Sequence, residues 1–262
     1  MAPPISVVIP LRRGAHVAAE VRAPLDSDAA VAEVLGIEDA GGGPNEARQR
    51  GCEQASGEVV LLLDSDVVPG AGLASGHAAH HAAREGLVVA GPMPVVDPHG
   101  APARLYGDAY DRWLADVERD PAVLLRRLWG GNVSLRRADA LRVGLDRPAM
   151  HGMRHEDRDL GLRLAAAGLV GVFDPALRAE HRYERDLASF CADCRAEGAG
   201  LVALHRLHPE LGSVQVHGAL RAIARPATSM ALIAVLRLGG PLAAGRLLRR
   251  LEIARGVAVA GG

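Results

Sequence analysis

Lysine is missing from this chain altogether: every one of its 30 basic residues is arginine. Together with the abundance of alanine and glycine, this reads as a codon bias toward GC more than a functional choice. Aromatic residues make up only 3% of the 262, so a core must be built from Ala, Val and Leu. Three cysteines are too few for a disulfide framework, and a reducing cytoplasm is the default compartment. Neither sign of charge dominates; a net charge of −1 gives no reason to expect a nucleic-acid partner. The amino terminus, Met1-Ala2-Pro3-Pro4-Ile5, has no basic region followed by an apolar run, so no signal peptide is expected. Nor is there an unbroken apolar run long enough to span a membrane. Residues 226–245 come nearest, but Arg237 and Gly239-Gly240-Pro241 interrupt them. The expectation there is a helical appendage, with a peripheral membrane contact left open.

The strongest signal is Val59-Val60-Leu61-Leu62-Leu63, which ends in Asp64-Ser65-Asp66. Such a run reads as a strand buried on both faces, with its carboxylates at the carboxyl end, where open α/β sheets hold ligands. Alternate residues of an extended segment point the same way, so both carboxylates are expected to face one point. Two carboxylates that close repel each other, and a divalent cation is the usual way to hold both ionised.

Around this strand, helical and strand patterns alternate, predicting an α/β sandwich. Strands are expected at Ser6–Pro10, Leu87–Met93 and Val170–Phe173, and helices at about 45–55, 71–85, 105–117 and 157–167. Residues 11–43 show little pattern. Trp129-Gly130-Gly131-Asn132 reads as a glycine-marked turn into a further strand. A second acidic cluster, Glu156-Asp157-Arg158-Asp159, opens a helix whose apolar stripe is Leu160, Leu164 and Ala167. Such carboxylates either cap the helix or, where they project into a cleft, serve as a general base. Gly41-Gly42-Gly43 reads as a turn, since no Walker lysine follows it to make a phosphate cradle. Arg48, one turn into the next helix, is the better candidate for a ligand contact. Cys191 and Cys194 read as packing residues sharing a helix face, and His77, His80 and His81 as a polar helix face.

The ordered series Val8-Ile9-Pro10, Asn45 to Gly51, Ala55 to Glu58, Asp64-Ser65-Asp66 and Pro69 resembles the front half of a family-2 glycosyltransferase. Gly131-Asn132 to Arg137, Glu156 to Arg163, Asp174-Pro175 and His181 resemble its back half in the same order. The resemblance covers about residues 5–205. It implies a three-layer α/β/α GT-A-type sandwich with a mixed, mostly parallel central sheet. That places a catalytic domain at 1–205 and a C-terminal helical extension at 206–262. It further implies transfer of a sugar from a nucleotide-diphosphate sugar to a hydroxyl acceptor, with inversion. By the same resemblance Asp64 and Asp66, with His181, hold Mn²⁺ or Mg²⁺ on the donor diphosphate. Asp157 is the general base and Glu156 assists the acceptor. Arg48, Gly131, Asn132 and Arg163 surround the donor, and the base reader is one of Asp26, Asp28 or Asp39, with Asp39 assigned to the donor site.

The family carries a helix, a second strand and an acidic turn ahead of the glycine segment, and residues 11–43 look short for all three. That shortening motivates a rival reading as a non-catalytic nucleotide- or sugar-binding relative. The Gln-x-x-Arg-Trp signature of processive synthases is absent, which favours a single transfer per encounter. A phosphohydrolase of the haloacid-dehalogenase type also opens on Asp-x-Asp, but it needs a lysine this chain lacks.

Overall fold

In the computed structural model, which describes residues 2–261, the chain begins with strand β1 (Ile5–Leu11). Helix α1 (Ala19–Asp26) leads to β2 (Val31–Glu38), and α2 (Pro44–Gln54) leads to β3 (Val59–Leu63). All five residues of β3 are buried, as a strand covered on both faces requires. A short β4 (Val67–Pro69), α3 (Leu73–Ala83), β5 (Leu87–Ala90) and α4 (Gly100–Arg119) follow. Next come β6 (Asn132–Arg136), α5 (Arg137–Val143), α6 (Glu156–Ala166), β7 (Val170–Phe173) and β8 (Ala179–His181). The chain closes with α7 (Leu187–Leu207), α8 (Gly218–Ile223), α9 (Pro226–Arg237) and α10 (Leu242–Gly261).

Six strands form the central sheet in the order β2-β1-β3-β6-β5-β7. β1 runs parallel to both β2 and β3, and β5 to β7, while β6 is antiparallel to both of its neighbours. The crossovers through α1 and α2 step in opposite directions along the sheet. Their right-handedness puts the two helices on opposite faces. The expected mixed, mostly parallel α/β sheet is therefore what the chain forms. β4 and β8 make a separate antiparallel pair.

Two sequence expectations are corrected here. Residues 11–43 are not short of structure, because they supply both α1 and β2. Their pattern is faint for a physical reason: β2 lies at the sheet edge and only Ile37 on it is buried, so it carries little of the apolar signal of a covered strand. The second concerns Pro10, expected to stop the first strand. β1 continues through it to Leu11, because pairing with β3 ends at Val8 and only the β2 side is paired beyond that point.

Contacts divide the chain into two compact units. One comprises Met1–Val96, Tyr110–Pro148 and Asp157–Arg182; the other comprises Asp97–Ala109, Ala149–Glu156 and Tyr183–Gly262. The boundary expected at 205/206 falls near the end of α7, inside the second unit. The first unit's core gathers β1, β3 and β5 with Leu160 and Leu164 of α6. In the second, α7 lies along α10, and Phe190, Cys194 and Leu105 pack with Ile253 and Leu242. Cys191 and Cys194 are buried and free, in keeping with a packing role.

Candidate active site

The residues that meet at the carboxyl edge of the sheet all belong to the first unit. Arg48 on α2 stands at their centre and is only 2% exposed. One of its terminal nitrogens donates to Asp64 Oδ1 at 2.5 Å and the other to Asp157 Oδ1 at 2.7 Å. Asn45 Oδ1, one turn back on α2, accepts from the latter nitrogen at 2.7 Å and sets the fork's orientation. Two carboxylates 93 positions apart in sequence are thus joined through one guanidinium. Burial pushes the Asp64 carboxyl above its ordinary range; Arg48 opposes this, and nearby Asp66 and Asp157 add to it.

The other wall is the glycine turn before β6. Gly130 N donates to Asp157 Oδ2 at 2.8 Å, and Asp64 N donates to Gly131 O at 3.1 Å. A Cβ on Gly130 would meet Asp157 Oδ1 at 2.6 Å, and one on Gly131 would meet Asp64 Oδ2 at 2.6 Å. Gly131 also has φ of +129°, so neither position admits a side chain without moving a carboxylate.

Asp64-Ser65-Asp66 differs from its expected extended form. The antiparallel ladder between β3 and β6 ends at Leu63, and Val67 N donates back to Asp64 O at 3.1 Å, so the tripeptide is a turn. Asp66 then approaches His181 rather than lying beside Asp64 by alternation: its Oδ1 is 3.4 Å from His181 Nε2. β8 fixes that imidazole by pairing His181 with Val67 of β4, and His181 is 4% exposed.

The remaining expected residues fall into three groups. Asp39 continues past β2, where its Oδ1 accepts from Gly41 N at 2.8 Å and Gly43 N at 2.9 Å, closing the triple-glycine turn ahead of α2. Of the other base-reading candidates, Asp26 pairs with Arg22 on the surface, and Asp28 is buried on Ser75. Glu156 is the first residue of α6, half-buried, and follows His155, whose φ is 73°. Arg163 is spent away from Asp64, Asp66 and Asp157: it pairs with Asp159 at 2.8 Å and donates to the carbonyls of residues 143–145. Asn132, expected beside the donor, is 1% exposed and faces inward.

Asn132 belongs to a buried chain of hydrogen bonds that sequence reasoning missed. Its Nδ2 donates to Leu177 O at 2.8 Å, so Oδ1 accepts from His77 Nε2 at 3.0 Å. His77 Nδ1 is then free to accept from Ser134 Oγ at 2.8 Å, and Ser134 Oγ accepts from His81 Nε2 at 2.8 Å. Burial holds both imidazoles well below their usual value, at about 4. His77 and His81 are therefore core groups that tie α3 to β6, not the polar helix face expected; among the three only His80 is partly exposed, pairing with Asp174.

A second unforeseen feature is aromatic. Tyr110, Trp113 and Trp129 account for three of the seven aromatic residues, and they pack together with ring centroids 5.1–5.7 Å apart. Tyr110 Oη accepts from Met93 N at 2.7 Å, and Trp113 Nε1 donates to Arg127 O at 2.5 Å. Trp129 immediately precedes Gly130, so the trio braces the turn that holds Asp157.

No family model matches this chain, and no curated protein sequence matches it. Solved structures do. A mannosyltransferase, PcManGT from Pyrobaculum calidifontis, in complex with GDP-Man and Mn²⁺, aligns with 99% of this chain and 87% of its own, at a TM-score of 0.58 and 14% identity. S. aureus TarS aligns over 95% of this chain at a TM-score of 0.52 and 13% identity. This chain spans about half of TarS, 55% of its length. The fold is that of glycosyltransferases.

Among the described residues, no three His, Cys, Asp or Glu side chains stand close enough to enclose a metal by themselves. A cation held by one or two carboxylates and completed by substrate phosphate oxygens does not need such a cage. The charge here suits one: Asp64, Asp66 and Asp157 gather three carboxylates about a single guanidinium and the His181 imidazole. The carboxylate oxygens present fit Mn²⁺ or Mg²⁺.

Proposed function

We propose that this protein is a glycosyltransferase of the family-2 kind. In this reading it moves a single sugar, with inversion, from a nucleotide-diphosphate sugar to a hydroxyl acceptor. The observation that carries the reading is Arg48, which joins the carboxylate at the end of β3 to the one at the start of α6. An inverting displacement needs that pairing: a group at the leaving diphosphate and a base at the attacking oxygen, on either side of one carbon. The rival binding-only reading rested on a shortened front, and α1 with β2 removes that ground.

Asp64, Asp66 and His181 would hold Mn²⁺ or Mg²⁺, which when bound neutralises charge on the departing diphosphate. Asp157 takes the proton from the acceptor hydroxyl. As it does so, the acceptor oxygen bonds to the anomeric carbon, and the bond from that carbon to the diphosphate oxygen breaks. Arg48 and Gly130 N each occupy one lone pair on separate oxygens of Asp157, so both oxygens keep one for the incoming proton. They also fix the plane of the carboxylate, which holds the base at a set angle. Asp39, at the carboxyl edge beyond β2, is the base reader in this assignment. GDP-Man is the first donor to try, because the mannosyltransferase above was solved with it.

Thermal unfolding with nucleoside diphosphates, with and without Mn²⁺, tests the reading. At about 100 times its dissociation constant a ligand stabilises by about 3 kcal/mol. The expected result is a Mn²⁺-dependent rise in Tm that Asp66→Ala abolishes. A rise that survives in Asp66→Ala would reject the metal assignment, and a donor bound without sugar transfer or hydrolysis would return the binding-only reading.

A further inference from the structure

The outer face of α9 carries no polar side chain along its centre. Ala227, Met230, Ala231, Ala234 and Leu238 recur at helical spacing and are all exposed, Met230 at 70% and Leu238 at 89%. The opposite face is accounted for: Leu236 is buried, and Leu232 and Ile233 pack with Cys191 and Leu248. α9 is therefore apolar on both sides, and only the inner side is covered within the second unit. An exposed arginine stands at each end, Arg225 at the N-cap and Arg237 at the last turn. Asp186, which feels the charge of Arg237, has its carboxylate engaged by Ser189 at the start of α7.

Charge around this ridge is one-sided. From Leu211 to Leu251 the chain has six arginines and no acidic residue, within a protein of net charge −1. Arg246 and Arg249 are answered by Asp108 and Glu197, which leaves the arginines flanking α9 facing solvent.

We propose that this face of α9 docks the protein onto an anionic lipid surface, with Met230 and Leu238 entering the acyl boundary and Arg225 and Arg237 on the headgroups. Two arguments select this occupant. A second copy would meet the patch with the same patch in a twofold contact, setting like charges against each other. One face of a twelve-residue helix, about 18 Å long and about 10 Å across, buries a few hundred Å². That falls short of the roughly 1,000 Å² a stable protein interface needs, whereas a bilayer sets no such minimum. Among the described residues no helix is long and apolar enough to cross a membrane, so the contact is with its surface. The inference stands apart from the proposed transfer reaction and does not need it.

Vesicle co-sedimentation of the full chain tests it. Binding is expected to phosphatidylcholine vesicles containing about 30% phosphatidylglycerol, and to weaken as salt is raised. Met230→Glu with Leu238→Glu should lower the bound fraction about tenfold, and Arg225→Glu with Arg237→Glu should do the same. All four positions are exposed, and unchanged melting curves would verify that the variants fold. No binding to the anionic vesicles, or equal binding by parent and both double variants, would overturn the proposal. A dimer in sedimentation equilibrium that the Met230/Leu238 variant abolishes, without vesicle binding, would instead assign the face to a second copy.

Discussion

Arg48 answers two carboxylates at once, so the site is preassembled around a buried cation from the protein itself. Breaking such a cluster by removing one partner costs roughly 3–5 kcal/mol, because a buried charge is left unanswered. The informative substitutions are therefore those that keep shape. Asp157→Asn keeps the shape, but its one carbonyl oxygen can accept from Arg48 or from Gly130 N and not from both, and it has lost its basicity. Donor affinity, read by Mn²⁺-dependent thermal shift, should survive while transfer falls by about 10²-fold or more. Glu156→Gln tests the neighbouring carboxylate at the same helix start. Near-normal turnover in Asp157→Asn, with turnover lost in Glu156→Gln, would move the base by one residue.

At the scale of elements, helix contacts are set by what the backbone permits. α7 and α10 approach through facing glycines: a Cβ on Gly256 would run into the carbonyl of Arg195 on α7, and one on Gly198 into that of Ile253 on α10. Backbone cannot yield as a side chain can, so Gly256→Ala must push the helices apart. The expected cost is about 1–3 kcal/mol, seen as a lower Tm, with the vesicle contact of α9 still measurable below it. A melting curve unchanged from the parent would mean that the contact is looser than this packing implies. The elements that sequence made legible are the strongly patterned ones: β3, β7 and the helix that opens at Glu156. β2 was not, since an edge strand with one buried residue has no alternation to read. Arg48 was legible as a site residue but not as a bridge, because nothing in a linear sequence joins positions 48, 64 and 157. His77 and His81 look polar in sequence only because their partners, Asn132 and Ser134, lie more than 50 positions away.

For the molecule as a whole, the buried histidines set an acid limit on stability. In the unfolded chain each imidazole takes up a proton near pH 6.5; in the fold neither does so until about pH 4. Between those values the unfolded chain binds more protons, so stability is complete above about pH 6.5 and declines as pH falls toward 4. A depression of that size corresponds to roughly 3 kcal/mol for each histidine. The charges around the pair act in both senses: at His81, Arg136 and His80 disfavour a cation and Asp139 favours one, while at His77 the other two histidines disfavour a cation and Asp174 favours one. Asp28, Glu33 and Asp174, whose carboxyls sit below their ordinary values, lose their contributions only at lower pH. Asp64 and Glu197, raised by burial, act in the opposite sense. Those carboxylates are common to parent and variant, so a comparison removes them. The measurement is Tm from pH 7 to 4.5 for the parent and for His77→Gln with His81→Gln. The parent should lose stability steeply below pH 6.5, while the variant, less stable at pH 7, should follow a flatter curve. Parallel curves would mean that the two imidazoles do not carry the acid limit.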